Sequence, residues 1–171
     1  MRTTTRIVTA LILGLTASCS GPGYPVEPGT ENSRVLFEAM AALEGTWAME
    51  SPDGALPVTF RTIAAGSVVH ETMMAGTEHE MVNLYTVHGD GIEMTHYCAA
   101  GNQPRMRATS LDGQSIVFRT IGINGMDTED EHAMSEMTLV IVDSDHVEQH
   151  WFSNGADAEG TPMVMELSRQ R

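Results

Sequence analysis

The chain has 171 residues and a formal net charge of −14, with 23 acidic residues against nine basic ones, all of the latter arginine. A surface of that sign repels the phosphates of nucleic acid and the face of an anionic membrane, so neither is expected as a partner. The length suits one domain, and about 140 residues beyond the N-terminal region are enough for a self-sufficient core.

In chain order, residues 1–18 carry the three parts of an export signal: Arg2 and Arg6, an apolar run over residues 7–15, then Thr16, Ala17 and Ser18. The run is shorter than the roughly 20 apolar residues that span a bilayer. The small residues leading into Cys19 resemble the lipobox of bacterial lipoproteins, with Thr16 where an aliphatic residue is usual. The resemblance implies cleavage before Cys19 and a lipid on its thiol. The expected protein is therefore exported and periplasmic, held to a membrane through Cys19 alone. Residues 19–32 are rich in Gly, Pro and Ser, have no hydrophobic period, and are expected as a flexible tether. With Cys19 used as an anchor, Cys98 is the only thiol left, so no intramolecular disulfide is expected.

The remaining residues, 33–171, form the expected domain. Residues 34–43 have helical spacing, with Leu36, Phe37, Met40 and Leu43 on one face and Asn32 or Ser33 as the N-cap. After them the period changes to two. Turn signals recur every eight to twelve residues, among them Pro52-Asp53-Gly54, Ala65-Gly66, Gly89-Asp90-Gly91, Gly101-Asn102-Gln103-Pro104 and Asp112-Gly113. Strands joined by hairpins, without crossover helices, predict an antiparallel meander, and closure into a barrel removes its two open edges. The expected fold is all-β: an up-and-down barrel of about 8 to 10 strands with one short N-terminal helix over one end. The longer connections, residues 122–132 and 155–162, are read as flaps over an opening.

Leu43-Glu44-Gly45-Thr46-Trp47, after a helix and opening the first strand, resembles the Gly-x-Trp start of lipocalins and the wider calycin group, including nitrobindin-like barrels. The resemblance implies that Trp47 plugs one end of the barrel and that a basic residue of the last strand, here Arg169, lies over its ring. It also implies haem as a cofactor of the nitrobindin-like members.

The candidate site comes from residues 94–107, MTHYCAAGNQPRMR. With a four-residue loop at residues 101–104, Cys98 faces Arg107, and His96, Cys98, Arg105 and Arg107 share one side of the sheet. The Asp112-Gly113 turn then sets Phe118 beside Arg107, and Glu71 stands on a neighbouring inward strand. Apolar walls around a few convergent polar groups describe a ligand pocket. The expected ligand-binding residues are His96, Cys98, Arg105, Arg107, Glu71, Phe118 and His150.

No motif supplies a catalytic nucleophile with its base, and none supplies a metal site. His79-Glu80-Met81-Val82-Asn83 has Asn83 where a zincin needs its second histidine, and it alternates as a strand. The acidic run at residues 127–131 lacks the spacing of a calcium loop. The expected function is a non-enzymatic binding protein that holds a small, largely apolar molecule in the barrel, with no cofactor identified. The alternatives are a structural lipoprotein with a filled barrel, a metal- or haem-binding barrel, and a small hydrolase or isomerase using His150 with Glu148.

Overall fold

Residues 26–52, 54–154 and 160–171 are described by a computed structural model; the expected signal peptide, Cys19 and the first half of the expected tether lie outside them. The first element is helix α1, Glu31–Ala41. It begins three residues earlier than its apolar spacing suggests because Thr30 is its N-cap: the Thr30 hydroxyl accepts from the Ser33 amide at 3.3 Å and the Ser33 hydroxyl from the Thr30 amide at 2.9 Å. That reciprocal pair satisfies two otherwise orphaned donors, and it takes residues 31–32 out of the expected tether.

The strands follow as β1 Gly45–Met49, β2 Leu56–Ile63, β3 Val68–Met73, β4 Met81–His88, β5 Gly91–Tyr97, β6 Gln103–Ala108, β7 Leu111–Asp112, β8 Ser115–Asn124, β9 Met134–Ile141, β10 His146–Ser153 and β11 Met163–Gln170. Each pairs antiparallel with its neighbour in sequence, except that β6 pairs with β8 across the two-residue β7, and β1 with β11. The result is a closed barrel of ten strands with one helix, and closure leaves its strands no free edge on which another chain could template.

Alternation sends every second side chain inward. Trp47, Val58, Phe60, Val69, Tyr85, Ile92, Ile116, Phe118, Leu139 and Leu167 form the core with a run of thioethers: Met49, Met73, Met81, Met94, Met106, Met137 and Met165. Helix α1 packs on β4 and β5 and adds Leu36, Met40 and, just past its end, Leu43. The helix covers the pole where the β4–β5 turn lies, and its Asn32 amide donates to the carbonyls of Asp90 and Thr109.

At that pole the Trp47 indole N–H donates to the Leu43 carbonyl at 2.8 Å, and the ring meets Phe60 edge-on at 6.3 Å. Trp47 and Arg169 face one another across the β1–β11 seam, with the guanidinium carbon 4.2 Å from the indole centroid. The same guanidinium donates to the carbonyls of Glu44, Ala42 and Ser144. Gly45 has φ of +139°, and a Cβ there would stand 2.9 Å from Arg169 Nη1. The glycine and tryptophan of Gly-x-Trp thus serve one contact: the first leaves the space in which the arginine lies over the second.

Candidate functional site

Near the other pole the interior turns polar. Glu71 on β3, Asn83 on β4, His96 on β5 and Gln149 on β10 all point inward and are buried. Glu71 Oε2 accepts from Asn83 Nδ2 and from the Tyr85 hydroxyl, each at 2.7 Å, and Oε1 accepts from Gln149 Nε2 at 2.6 Å. Trp151 Nε1 in turn donates to Gln149 Oε1 at 3.1 Å. Burial pushes the Glu71 carboxyl above the usual carboxylate range, and the three donors partly hold that rise back. Burial, then the neighbouring Glu71 charge, raises the Tyr85 phenol well above 10, so Tyr85 stays a donor.

This network sets the state of His96. Because the Asn83 amide nitrogen is committed to Glu71, its oxygen is the atom that faces His96 Nδ1 at 2.7 Å. Nδ1 must therefore carry the hydrogen. Burial lowers the ring pKa from 6.5 to about 4, so at neutral pH Nε2 is a bare lone pair. That atom is buried and has no hydrogen-bond partner in the protein. The Trp151 ring lies beside the imidazole, centroids 4.7 Å apart. The other buried unpartnered side-chain atom among the described residues, Asn102 Oδ1, is also an acceptor, in the β5–β6 loop at the same pole.

The residues singled out from the sequence divide into two groups. Glu71, His96 and Phe118 stand in the interior, Phe118 against Tyr85 at 5.6 Å between ring centroids. Cys98 is half-buried against the core at the rim. Arg105 and Arg107 instead lie on the outer wall. The β5–β6 register pairs Thr95 with Arg105 and Glu93 with Arg107, not Cys98 with Arg107. The turn is the cause: Cys98 and Asn102 are already hydrogen-bonded across it, leaving the three residues Ala99, Ala100 and Gly101 as the loop, with Gly101 at φ of +87°. A three-residue loop closing on a left-handed glycine slips the pairing by an odd number of residues, which exchanges the faces of the strand. Met106 and Ala108 point inward in their place. Arg107 binds Asp90 at 2.6 Å, and Arg105 lies over Gly122. Phe118 is likewise not beside Arg107, whose partner on β8 is Arg119.

His150 is also on the outer wall. It hydrogen-bonds Glu148 at 2.7 Å, with both side chains partly exposed, while Gln149 between them faces in. The pair weighed for acid–base chemistry is thus a hydrogen-bonded pair on the surface. Asn83, Tyr85, Gln149 and Trp151 were not anticipated. Their signal is parity: Met81, Asn83 and Tyr85 alternate on β4, and Val147, Gln149 and Trp151 on β10.

Among the described residues no three His, Cys, Asp or Glu side chains converge as metal ligands. Haem does not fit either. His96 offers the right nitrogen, but protein atoms enclose Nε2, which leaves no room at that atom for a macrocycle. Every described arginine lies on the outer wall or at a pole, and none of them places its guanidinium in the interior.

No family model and no curated protein matches the chain. Among solved structures it is similar to the crystal structure of Rv2717c from M. tuberculosis, with 17% identity and a TM-score of 0.56 over 80% of this chain and 98% of that one. The likeness is one of fold, the closed antiparallel barrel.

Proposed function

We propose that this chain is a non-enzymatic binding protein, exported and lipid-anchored at Cys19, that holds a small, largely apolar ligand at the His96 end of its barrel. One observation carries the reading: a buried imidazole nitrogen, oriented through Asn83 by the Glu71 network, that has no hydrogen-bond partner in the protein. A buried polar atom left unmade costs about 1–3 kcal/mol and calls for an explanation, and in this reading the donor of a ligand supplies the partner. The surrounding side chains Met73, Met81 and Trp151 include unbranched thioethers, which re-pack around an irregular guest more readily than branched side chains do. Export and anchoring rest on the charged, apolar and small-residue pattern of residues 1–18 before Cys19.

A second reading, a filled barrel with a structural role, has its own support. Trp47, Tyr85, Phe60, Phe118, Met94 and Met106 are all at 0% exposure, so no water-sized space adjoins them. Native mass spectrometry of the full-length protein separates the two readings. A non-covalent mass that is lost on denaturation, together with slowed labelling of Cys98 by a bulky thiol reagent, supports binding. A bare polypeptide whose Cys98 labels at the same rate before and after extraction with organic solvent identifies the filled barrel. The mass of the N-terminal peptide tests the anchor: an acylated Cys19 is expected, and an unmodified one refutes it.

A further inference from the structure

We infer that the molecule taken at His96 is a neutral hydrogen-bond donor, of the phenol, alcohol or azole N–H class, and not a carboxylate such as a fatty acid; this rests on the reading of the barrel as a binding protein. The direction of every bond in the network carries the inference. The polar hydrogens of Trp151, Gln149, Asn83, Tyr85 and His96 Nδ1 are used within the network and lead toward Glu71. Only the second Gln149 Nε2 hydrogen is without an acceptor, and the second Asn83 hydrogen turns to the Met73 thioether at 3.4 Å, so an anionic guest meets no charged donor. Among the described residues the buried side-chain atoms with no partner at all are both acceptors, His96 Nε2 and, at the same pole, Asn102 Oδ1. An incoming O–H or N–H completes the first without breaking any hydrogen bond of the network, once the side chains enclosing Nε2 re-pack to admit it. A carboxylate would bring a negative charge into a desolvated interior that already holds the Glu71 carboxyl and, among the described residues, no arginine to neutralise it. Burial acts in the same sense by keeping His96 uncharged, so the ring offers a lone pair where a cation would have attracted an anion.

Three aromatic probes of similar size test this on the intact protein at pH 7: phenol, which donates; anisole, which has the ring and oxygen but no donor; and benzoate, which is an anion. Binding is read from Trp151 fluorescence and from the 15N shift of His96 Nε2, which moves when a bare imine-type nitrogen accepts a hydrogen bond. Phenol is expected to bind about tenfold or more tightly than anisole, with benzoate weaker still, and to move the Nε2 resonance. Benzoate or anisole binding as tightly as phenol, or phenol binding without any movement of Nε2, overturns the donor assignment and leaves the barrel a binding protein. If none of the three perturbs either signal, and native mass spectrometry finds a bare chain, the binding reading itself is overturned.

Discussion

Asn83 ties His96 to a charge that His96 does not touch: the amide oxygen accepts the imidazole Nδ1 hydrogen at 2.7 Å, while the amide nitrogen donates to Glu71 at 2.7 Å. The carboxylate thereby chooses the tautomer of a ring on the far side of an amide.

Replacing Glu71 with Gln tests that choice. The new NH2 group must face Asn83 and Tyr85 or Gln149, all of which donate to the native carboxylate. If Asn83 turns over to accept from it, its own NH2 faces His96 and the imidazole hydrogen moves to Nε2. The expected result of Glu71→Gln is a His96 tautomer switch, seen in 15N–1H spectra, with a stability loss of about 1–3 kcal/mol on urea unfolding. An unchanged tautomer would show that Glu71 does not direct the relay.

Acid should weaken the fold through His96. The unfolded ring takes a proton below 6.5 but the folded ring only near 4. This contribution is therefore intact above 6.5 and lost as pH falls from there to about 4. At about 1.4 kcal/mol for each tenfold difference in proton affinity, the full loss is roughly 3 kcal/mol. Glu71 acts in the opposite sense: its raised carboxyl is most favourable below 4.5, and that advantage is lost as pH rises through the higher folded value. Comparing wild type with His96→Leu isolates the histidine. The variant is expected to be less stable at pH 7 but flatter between pH 6.5 and 4.5, and parallel slopes would refute the assignment.

At the opposite pole, Gly45→Ala should loosen the seam. The backbone at φ of +139° disfavours any side chain, and the added carbon would displace Arg169 from the indole. About 2–3 kcal/mol of stability is expected to go. A melt indistinguishable from wild type would mean the arginine closes nothing.

Arg107→Ala, by contrast, should have little effect. Its partner Asp90 is mostly exposed, and Glu93 contacts it at 3.6 Å on the same outer wall. Less than about 1 kcal/mol is expected, with probe affinity at His96 unchanged. A tenfold loss of affinity would return the guanidinium to the interior.

The two halves of residues 94–107 show where sequence reasoning reaches and where it stops. His96 could be assigned an inward position because strand parity follows from the alternation of Met94, His96 and Cys98 themselves. Arg105 and Arg107 could not, because their parity depends on a loop length, and Gly101-Asn102-Gln103-Pro104 reads equally well as four loop residues or as one loop glycine leading into a strand. The turn signals and the Gly45–Trp47 spacing are local, and from them the barrel could be read. The relay is not local: Gln149 meets Glu71 across 78 residues of chain. Parity places Asn83 and Gln149 as inward polar residues, but a neutral amide carries no chemical signature of a site, whereas the outward-facing His150 beside Gln149 does.

The helix cap gives the molecule a direction. The Thr30 amide bonds the Gly89 carbonyl, and Glu27 reaches His88 at 2.9 Å, so the chain enters at the tryptophan-plugged pole. Any attachment upstream of Val26 therefore grips the barrel by its sealed base. The layer containing His96, Cys98 and Trp151 lies at the other end of the barrel from that entry point.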